Sequence, residues 1–586
     1  MKIIFSCGVV LLVLIWETPA RAQSRVRSDP NRPNIIFIIS DDHRWDVLGT
    51  AGNRHVKTPV LDRLAREGLY FRQATIHVSQ CAPSRATLLT GLAPHQSGYY
   101  ANNFVRKDLE WAVKFPVPTM PELMQRAGYN TVLVGKWHVA PDPWLSGFSD
   151  IRTWLPEAGA SYRDSRLAKG RSRSTEVVNG FTNDVFANDA IEFLKSDDAK
   201  KKPFLLWVAS TIPHAPYAPN PSHIEDLYDD IGSDAHPPAL PPNTKLDLAL
   251  EGDSASSIGV AKYYEAVSHL DEIVGRILTT VEQERLADNT VLIFLGDNGL
   301  MAGSRGVRGK VVPWEESVRV PMLIKLPKAV AKGTSEVPAS SLDVPVTILE
   351  LAGLKKPLSW PGRSLLPVLN SNRGHGIDHA VSEWADTESQ FRNHTHRLIR
   401  TPLYKLIRWD GADEPDELYD LVADPSETTN IADRPTMRAV RNRLTRQLMA
   451  WMVRTNDPAR NWPAKSGRTP DRERAAREDA KARAELEDKS PRRINSNVLN
   501  DYTGRYEFVT RNAISIIRED DKLFFQSEFT GKVELIPKSE TEFVHRRAPM
   551  RITFVRDRNG RVTHLIRRQS ISANVPIVDM RARKVE

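Results

Sequence analysis

The chain has 586 residues, of which 40% are hydrophobic and 26% charged, with a formal net charge of +8. That length gives a large core and at least two domains. Of the 2 Cys, Cys7 lies in an N-terminal leader, so an internal disulfide framework is excluded once the leader is gone. Much of the basic excess falls after Arg434, where an anionic polymer or ordinary solvated helix faces account for it equally well.

In chain order, Lys2, an apolar run over 9–16 and Ala20-Arg21-Ala22 read as a signal peptide, residues 1–22, which implies an exported protein, periplasmic or secreted. The run is too short to span a bilayer and no later stretch is long and apolar enough, so no membrane span is expected. Residues 34–40, with Ile35-Ile36-Phe37-Ile38-Ile39, predict a strand buried on both faces, and Asp41 and Asp42 stand at its carboxyl end. Thr58-Pro59 starts a helix that reaches Glu67. Cys81-Ala82-Pro83-Ser84-Arg85-Ala86-Thr87-Leu88-Leu89-Thr90-Gly91 predicts another, with Pro83 in its first turn and Gly91 ending it. Cys81 then sits at a helix N-terminus, which welcomes anions, with Arg85 one turn along.

Four further apolar strands end in chemically able residues: 131–134 before Lys136 and His138, 204–208 before His214, 290–295 before Asp297 and Asn298, and 321–324 before Lys325. A helical pattern covers 261–284. Strands alternating with helices predict a parallel or mixed α/β sheet, whose ligands bind beyond the strands' carboxyl ends. Residues 142–180 show weak periodicity and read as a long functional loop. Residues 391–433 predict a small antiparallel sheet closed by an amphipathic helix over 434–453. The resulting division is 30–380 for the main α/β domain, 381–460 for the antiparallel subdomain, 461–496 for a charged linker with an exposed helix over 470–487, and 497–586 for a small all-β module. In that module 513–517, 522–526 and 551–555 read as strands, and Arg558-Asn559-Gly560 as a hairpin turn.

Cys81 admits three readings. It is a buried small hydrophobe, the usual fate of a free Cys; or a phosphatase thiolate, against which only three residues, rather than five, separate it from Arg85; or the site of a modification. The third follows from a resemblance. Cys81-x-Pro83-Ser84-Arg85 with Ala86-Thr87-Leu88-Leu89-Thr90-Gly91 resembles the signature of the formylglycine-dependent sulfatases of the alkaline phosphatase superfamily. Motifs at 33–42, Gly135 to His138, Pro213-His214, Gly296 to Gly299, Lys310, Glu315 to Pro321, and Leu418-Tyr419-Asp420-Leu421 with Asp424-Pro425 follow in that family's order.

The resemblance implies an alkaline-phosphatase-like α/β fold: a mixed, mainly parallel sheet flanked by helices. It implies that a maturation enzyme oxidises Cys81 to formylglycine, whose hydrate attacks sulfur. Asp41, Asp42, Asp297 and Asn298, with an oxygen of the modified Cys81, then hold Ca2+, or Mg2+, consistent with their hard oxygen donors. Arg85, Lys136 and Lys310 hold the hydrate or the sulfate; Asp297 helps deprotonate the hydrate. His214 with Lys310 protonates the leaving alcohol, and His138 removes the proton that ejects sulfate. His95 is a candidate for facing the substrate; His43 and Asp271 read as structural or supporting. Leu295-Gly296 before Asp297 and Ala82 after the cysteine depart from the commoner residues without removing a ligand or catalytic group.

The implied substrates are sulfated sugars or polysaccharides, with Trp111, Trp144, Trp154 and Trp360 as candidate stacking faces. No nucleic-acid partner is expected. The alternatives are a sulfamidase, a phosphonate or phosphate monoester hydrolase of the same superfamily, and a catalytically silent glycan-binding relative.

Overall fold

The run Ile35-Ile36-Phe37-Ile38-Ile39 forms β1 (Asn34–Ser40), all of it buried. Such unbroken apolarity is what a strand covered on both faces requires. The structure is a computed structural model that describes residues 32–585, apart from 101, 103–114, 116, 229–259, 303, 307–308, 386–394, 411–414, 463–490, 493, 509–512, 528–531, 547–549, 558 and 570–577. The signal peptide expected over 1–22, the helix expected over 470–487, Trp111 and Arg558 lie outside the described residues.

The strands that follow are β2 (Leu69–Phe71), β3 (Ala74–Thr75), β4 (Asn130–Lys136), β5 (Asp150–Leu155), β6 (Arg163–Lys169), β7 (Thr175–Phe181), β8 (Phe204–Ala209), β9 (Thr290–Gly296), β10 (Met322–Lys325), β11 (Gly333–Ser335) and β12 (Ala339–Ser340). Apart from the β3–β12 pair, they join β1 in one ten-stranded sheet of order β11-β2-β10-β9-β1-β8-β4-β5-β6-β7. Strands β9, β1, β8, β4 and β5 are parallel neighbours. The pairs β10–β9, β10–β2, β5–β6 and β6–β7 are antiparallel, so the sheet is mixed and mainly parallel at its centre.

Alternate β1 residues feed two cores. Ile35, Phe37 and Ile39 pack with helices Cys81–Thr90, Met120–Arg126 and Asp343–Leu351 on one face. Ile36 and Ile38 pack with helices Pro59–Glu67, Thr182–Lys195 and Val260–Gln283 on the other. This is the period of two that a strand imposes.

The expectation of a long loop over 142–180 is corrected: that region supplies β5, β6 and β7, one end of the main sheet. The end of the sheet is covered poorly, and β6, between β5 and the edge strand β7, buries only Ser165, Leu167 and Ala168 among seven residues. Its charged outward positions hide the alternation from a hydrophobic count.

Strands β13 (Ala380–Trp384), β14 (His396–Arg400), β15 (Tyr404–Trp409) and β16 (Glu417–Asp420) make the expected antiparallel sheet. The helix Arg438–Thr455 buries Leu444, Leu448, Trp451 and Met452 against Val381, Ile399, Leu406 and Leu418. It begins later than expected because Pro435–Met437 is a 3-10 turn.

The C-terminal module is a closed eight-stranded antiparallel barrel, from β17 (Gly504–Phe508) to β24 (Val578–Lys584), which pair to shut it. Its core of Tyr506, Phe525, Phe543, Phe554 and Leu565 forms a separate cluster that contains only residues from this module and its approach. At the expected hairpin turn Asp557 Oδ1 accepts from the Asn559 and Arg561 N–H groups.

Candidate active site

Four neighbouring strands, β9, β1, β8 and β4, deliver their chemistry to one edge of the sheet. Asp297 and Asn298 follow β9, Asp41 and Asp42 follow β1, His214 lies shortly past β8, and Lys136 ends β4 with His138 just beyond. The crevice beyond such strand ends is where α/β sheets bind ligands.

Cys81 reaches this crevice as the first residue of its helix, with Gln80 extended before it and Gly91 at φ 63 after it. A Cβ on Gly91 would fall 2.1 Å from the Trp360 ring, so the position demands glycine for its space as well as its φ. The Cys81 Sγ stands 3.4 Å from Asp41 Oδ1 and 2.8 Å from Lys310 Nζ. One donor atom from each of Asp41, Asp42, Cys81 and Asp297 lies within 4.8 Å of the others.

Three buried carboxylates this close repel one another unless cations intervene. Lys136 Nζ lies 2.5 Å from Asp41 Oδ2, Arg85 reaches Asp297 Oδ2 at 2.9 Å, and Lys310 pairs with Asp42. Arg85 also donates to the Lys136 carbonyl at 2.8 Å, which ties the helix to the end of β4.

Asn298 supplies the test of whether a metal fits. Its Nδ2 donates to Asp42 Oδ1 at 2.6 Å and to the Gly299 carbonyl at 2.7 Å, which fixes the amide, and its buried Oδ1 has no hydrogen-bond partner. An orphaned amide oxygen beside three carboxylates is the donor set of a hard divalent cation. Asp41, Asp42, Asp297 and Asn298 would hold that cation; the residues fit it.

Burial by itself would raise the Asp41 carboxyl, but Lys136, His214, Arg85 and Lys310 hold it far below the usual range. Asp297 goes the other way, raised by burial and the Asp41 charge against Arg85. Burial and Asp41 push the Cys81 thiol well up. Burial would lower Lys310, yet the carboxylates of Asp42 and Asp41 keep it well above the ordinary lysine range, so it is protonated. His138 is depressed by burial, Lys136 and Arg85, which keeps its imidazole neutral; its Nδ1 is unpartnered and its φ is 53. His214 Nδ1 lies 2.9 Å from the Ala215 carbonyl and must donate to it, which leaves Nε2, 3.8 Å from Asp42 Oδ2, for proton exchange.

His95 belongs elsewhere, which corrects its assignment to the substrate. Its Nδ1 meets Glu383 Oε2 at 2.6 Å and its Nε2 meets the Thr455 carbonyl at 3.2 Å, so both nitrogens are engaged inside the fold. With Asp457 these residues have metal-like spacing, but Arg397 already binds both Asp457 oxygens, at 2.6 and 2.9 Å, and serves as the cation. The cluster clamps the turn of His95 to β13, β14 and the end of the Arg438–Thr455 helix.

Burial would lower His95, but Glu383 and Asp457 raise it. The charged form is therefore favoured in the fold. Its contribution is full below the unfolded value of about 6.5 and is lost as pH rises through the raised folded value. The melting temperature is expected to fall as pH rises from about 6.5 to the raised folded value, and His95→Asn to flatten that slope. Glu383→Ala, which takes the carboxylate from His95 while Arg397 keeps Asp457, is expected to cost about 3 kcal/mol in denaturant melts.

The tryptophan expectation is also corrected: Trp154 and Trp360 are fully buried, and the half-buried Trp144 packs edge-on against Trp154. His43 bonds Ser40 and the Val47 carbonyl, and Asp271 accepts from the Val60 and Leu61 N–H groups at the start of the Pro59–Glu67 helix; both are structural.

Several supporting residues escaped the sequence reading. Tyr263 donates to the Asp42 carbonyl at 2.6 Å and accepts from Arg44 N–H, holding Asp42 at φ 60. Arg44 in turn binds Asp46 and the Leu300 and Met301 carbonyls, which joins the two metal-ligand loops. Tyr162 donates to the His214 carbonyl at 2.7 Å, and Asn102 Oδ1 accepts from Ala82 N–H. Only Arg44, next to the Asp41-Asp42 doublet, carried a local signal.

Fold and site define a hydrolase of the alkaline-phosphatase-like α/β class, built to hold a tetrahedral anion between cations and a metal. The chain belongs to the sulfatase family: the sulfatase family model matches residues 33–354. Residues 303–454 match the C-terminal region of the N-sulphoglucosamine sulphohydrolase family, and 488–577 match a domain of unknown function. An ulvan-active sulfatase of Formosa agariphila is 29% identical over 74% of this chain and 83% of its own. An N-acetylglucosamine-6-O-sulfatase of Bacteroides thetaiotaomicron is 28% identical over 72% and 87%. The solved structure of BT4656, in complex with its substrate D-glucosamine-2-N,6-O-disulfate, is similar with a TM-score of 0.59 and 27% identity, covering 73% of this chain and 99% of that one.

Proposed function

We propose that this chain is an exported sulfatase that hydrolyses sulfate esters of sugars derived from a sulfated polysaccharide, using formylglycine made from Cys81 by a maturation enzyme, and calcium. One observation carries the reading: a single helix N-terminus gathers Cys81, three carboxylates, an orphaned Asn298 carbonyl and the cations Arg85, Lys136 and Lys310. The glycan substrates of the ulvan-active and glucosamine-6-sulfate relatives support the substrate class. The N-terminal leader supports export. Among the described residues no helix is long and apolar enough to cross a membrane.

A formylglycine hydrate supplies a hydroxyl that attacks sulfur and a second that expels sulfate as the carbonyl re-forms, and the metal supplies charge that polarises the sulfate oxygens. Arg85, Lys136 and Lys310 offer donors to the sulfate where its charge develops. Asp297 accepts the first hydroxyl proton. His214 Nε2, with the protonated Lys310, delivers a proton to the departing sugar oxygen. His138 Nδ1, neutral and unpartnered, takes the second proton.

The test is hydrolysis of an aryl sulfate against the matching phenylphosphonate ester by chain produced with the maturation enzyme. Sulfate turnover at least about tenfold faster is expected; the reverse preference refutes the assignment. A second reading, N-sulfate cleavage, is favoured by the match of 303–454 to the sulphohydrolase C-terminal region. Release of sulfate from glucosamine-N-sulfate rather than the 6-O-sulfate would establish it. Because the barrel has its own core, a chain ending at Trp462 is expected to turn over the aryl sulfate at the full-length rate.

A further inference from the structure

The closing motif, Leu418-Tyr419-Asp420-Leu421 with Asp424-Pro425, carries no atom into the crevice described above, yet the turn it makes sets Glu427 against the chain that bears Lys310. Glu427 is buried at φ 53, and its Oε2 accepts from the Glu315 N–H at 2.8 Å. Its Oε1 pairs with Lys405 at 2.7 Å, and Lys405 Nζ also donates to the Pro313 carbonyl at 3.0 Å and pairs with Glu315 at 2.8 Å. On the other side of Lys310, Arg305 donates to the Ser426 and Glu427 carbonyls and lies over the Trp314 ring. The C-terminal subdomain thus grips the chain on both sides of Lys310.

We propose that Glu427 is a positioning residue for Lys310: with Lys405 and Arg305 it fixes the flanks of Lys310 from the C-terminal subdomain and so sets where the ammonium stands beside Cys81. The proposal rests on the crevice being the sulfate-binding site. Lys405, Glu315 and Glu427 are almost wholly excluded from water, at 0, 4 and 1% side-chain exposure. A buried ionic network of this kind is a poor source of stability compared with apolar packing, but it holds one geometry. Lys310 itself is also steadied nearby, by Met301 N–H on the Gly309 carbonyl and by Val311 N–H on the Ser79 carbonyl. The effect of losing the grip is therefore partial: Lys310 shifts without leaving.

In the matured full-length chain, Glu427→Ala is expected to lower kcat/KM on an aryl sulfate about tenfold or more, the scale of a sub-ångström to ångström misplacement. Combined with Lys310→Ala it is expected to add nothing, because it acts through Lys310. Affinity for inorganic sulfate, measured by calorimetry, is expected to fall in Glu427→Ala and to be equal in Lys310→Ala and the double variant. Where Glu427→Ala does not accumulate as folded protein, Arg305→Ala is put through the same cycle. Losses that multiply in the double variant, or sulfate affinity equal to wild type in Glu427→Ala, overturn the proposal. A wild-type chain that binds sulfate but hydrolyses no sulfate ester refutes the proposed activity instead, and the cycle is still read through binding.

Discussion

Cys81→Ala is expected to abolish sulfate ester turnover, by a factor on the order of 10^4 or more, while leaving a folded protein. The side chain lost is small and buried at a helix start whose geometry depends on Gln80, Pro83 and Gly91 rather than on sulfur. Lys310, which contacts Sγ, keeps Asp42 as its partner. The cost to stability is therefore about 1 kcal/mol. Chain made without the maturation enzyme is expected to be equally inactive although its Cys81 is intact, because burial and Asp41 keep the thiol protonated. The measurements are turnover of an aryl sulfate and the mass of the peptide containing residue 81. A thiol-bearing chain that turns over at the matured rate would refute formylglycine as the nucleophile.

What was legible in the sequence was whatever is encoded locally. Continuous apolar runs announced β1, β8 and β9, and polar doublets directly after β1 and β9 announced Asp41, Asp42, Asp297 and Asn298. Pro83 and Gly91 bracketed the Cys81 helix at the ends the structure shows. What was not legible depends on partners far away in the chain. His95 looks the same in sequence whether it meets a substrate or Glu383, which lies 288 residues on. Trp154 and Trp360 have the wide faces that suit a sugar, and the same faces fill a core. The alternation of the C-terminal strands identified a β module, but closure rests on β17 meeting β24, with Tyr506 opposite Lys584. Tyr263 was invisible because only the fold brings its helix to Asp42.

Removal of the metal is expected to cost both activity and stability, and the second makes it testable without turnover. The carboxylates of Asp41, Asp42 and Asp297 are matched by three cations, but Asn298 Oδ1 stays unpaired and Asp297 is raised above its ordinary range by burial and by Asp41. A divalent cation satisfies the amide oxygen and favours the ionised carboxylate, so it binds the folded chain and not the unfolded one. Calcium at 1,000 times its dissociation constant then adds about 4 kcal/mol. Chain stripped by a chelator is expected to melt lower, and calcium to restore the midpoint and the turnover. Magnesium, which demands tighter octahedral geometry, is expected to restore less. The pH dependence has a definite sign. Binding requires Asp297 without its proton, so calcium affinity falls as pH drops through the raised Asp297 value, with protons released on binding at that pH. Asp297→Asn is expected to weaken binding and to flatten that pH dependence. Calorimetric titration of the stripped, unmodified chain in buffers of different ionisation heat measures both, and a calcium affinity unchanged by Asp297→Asn would remove Asp297 from the ligand set.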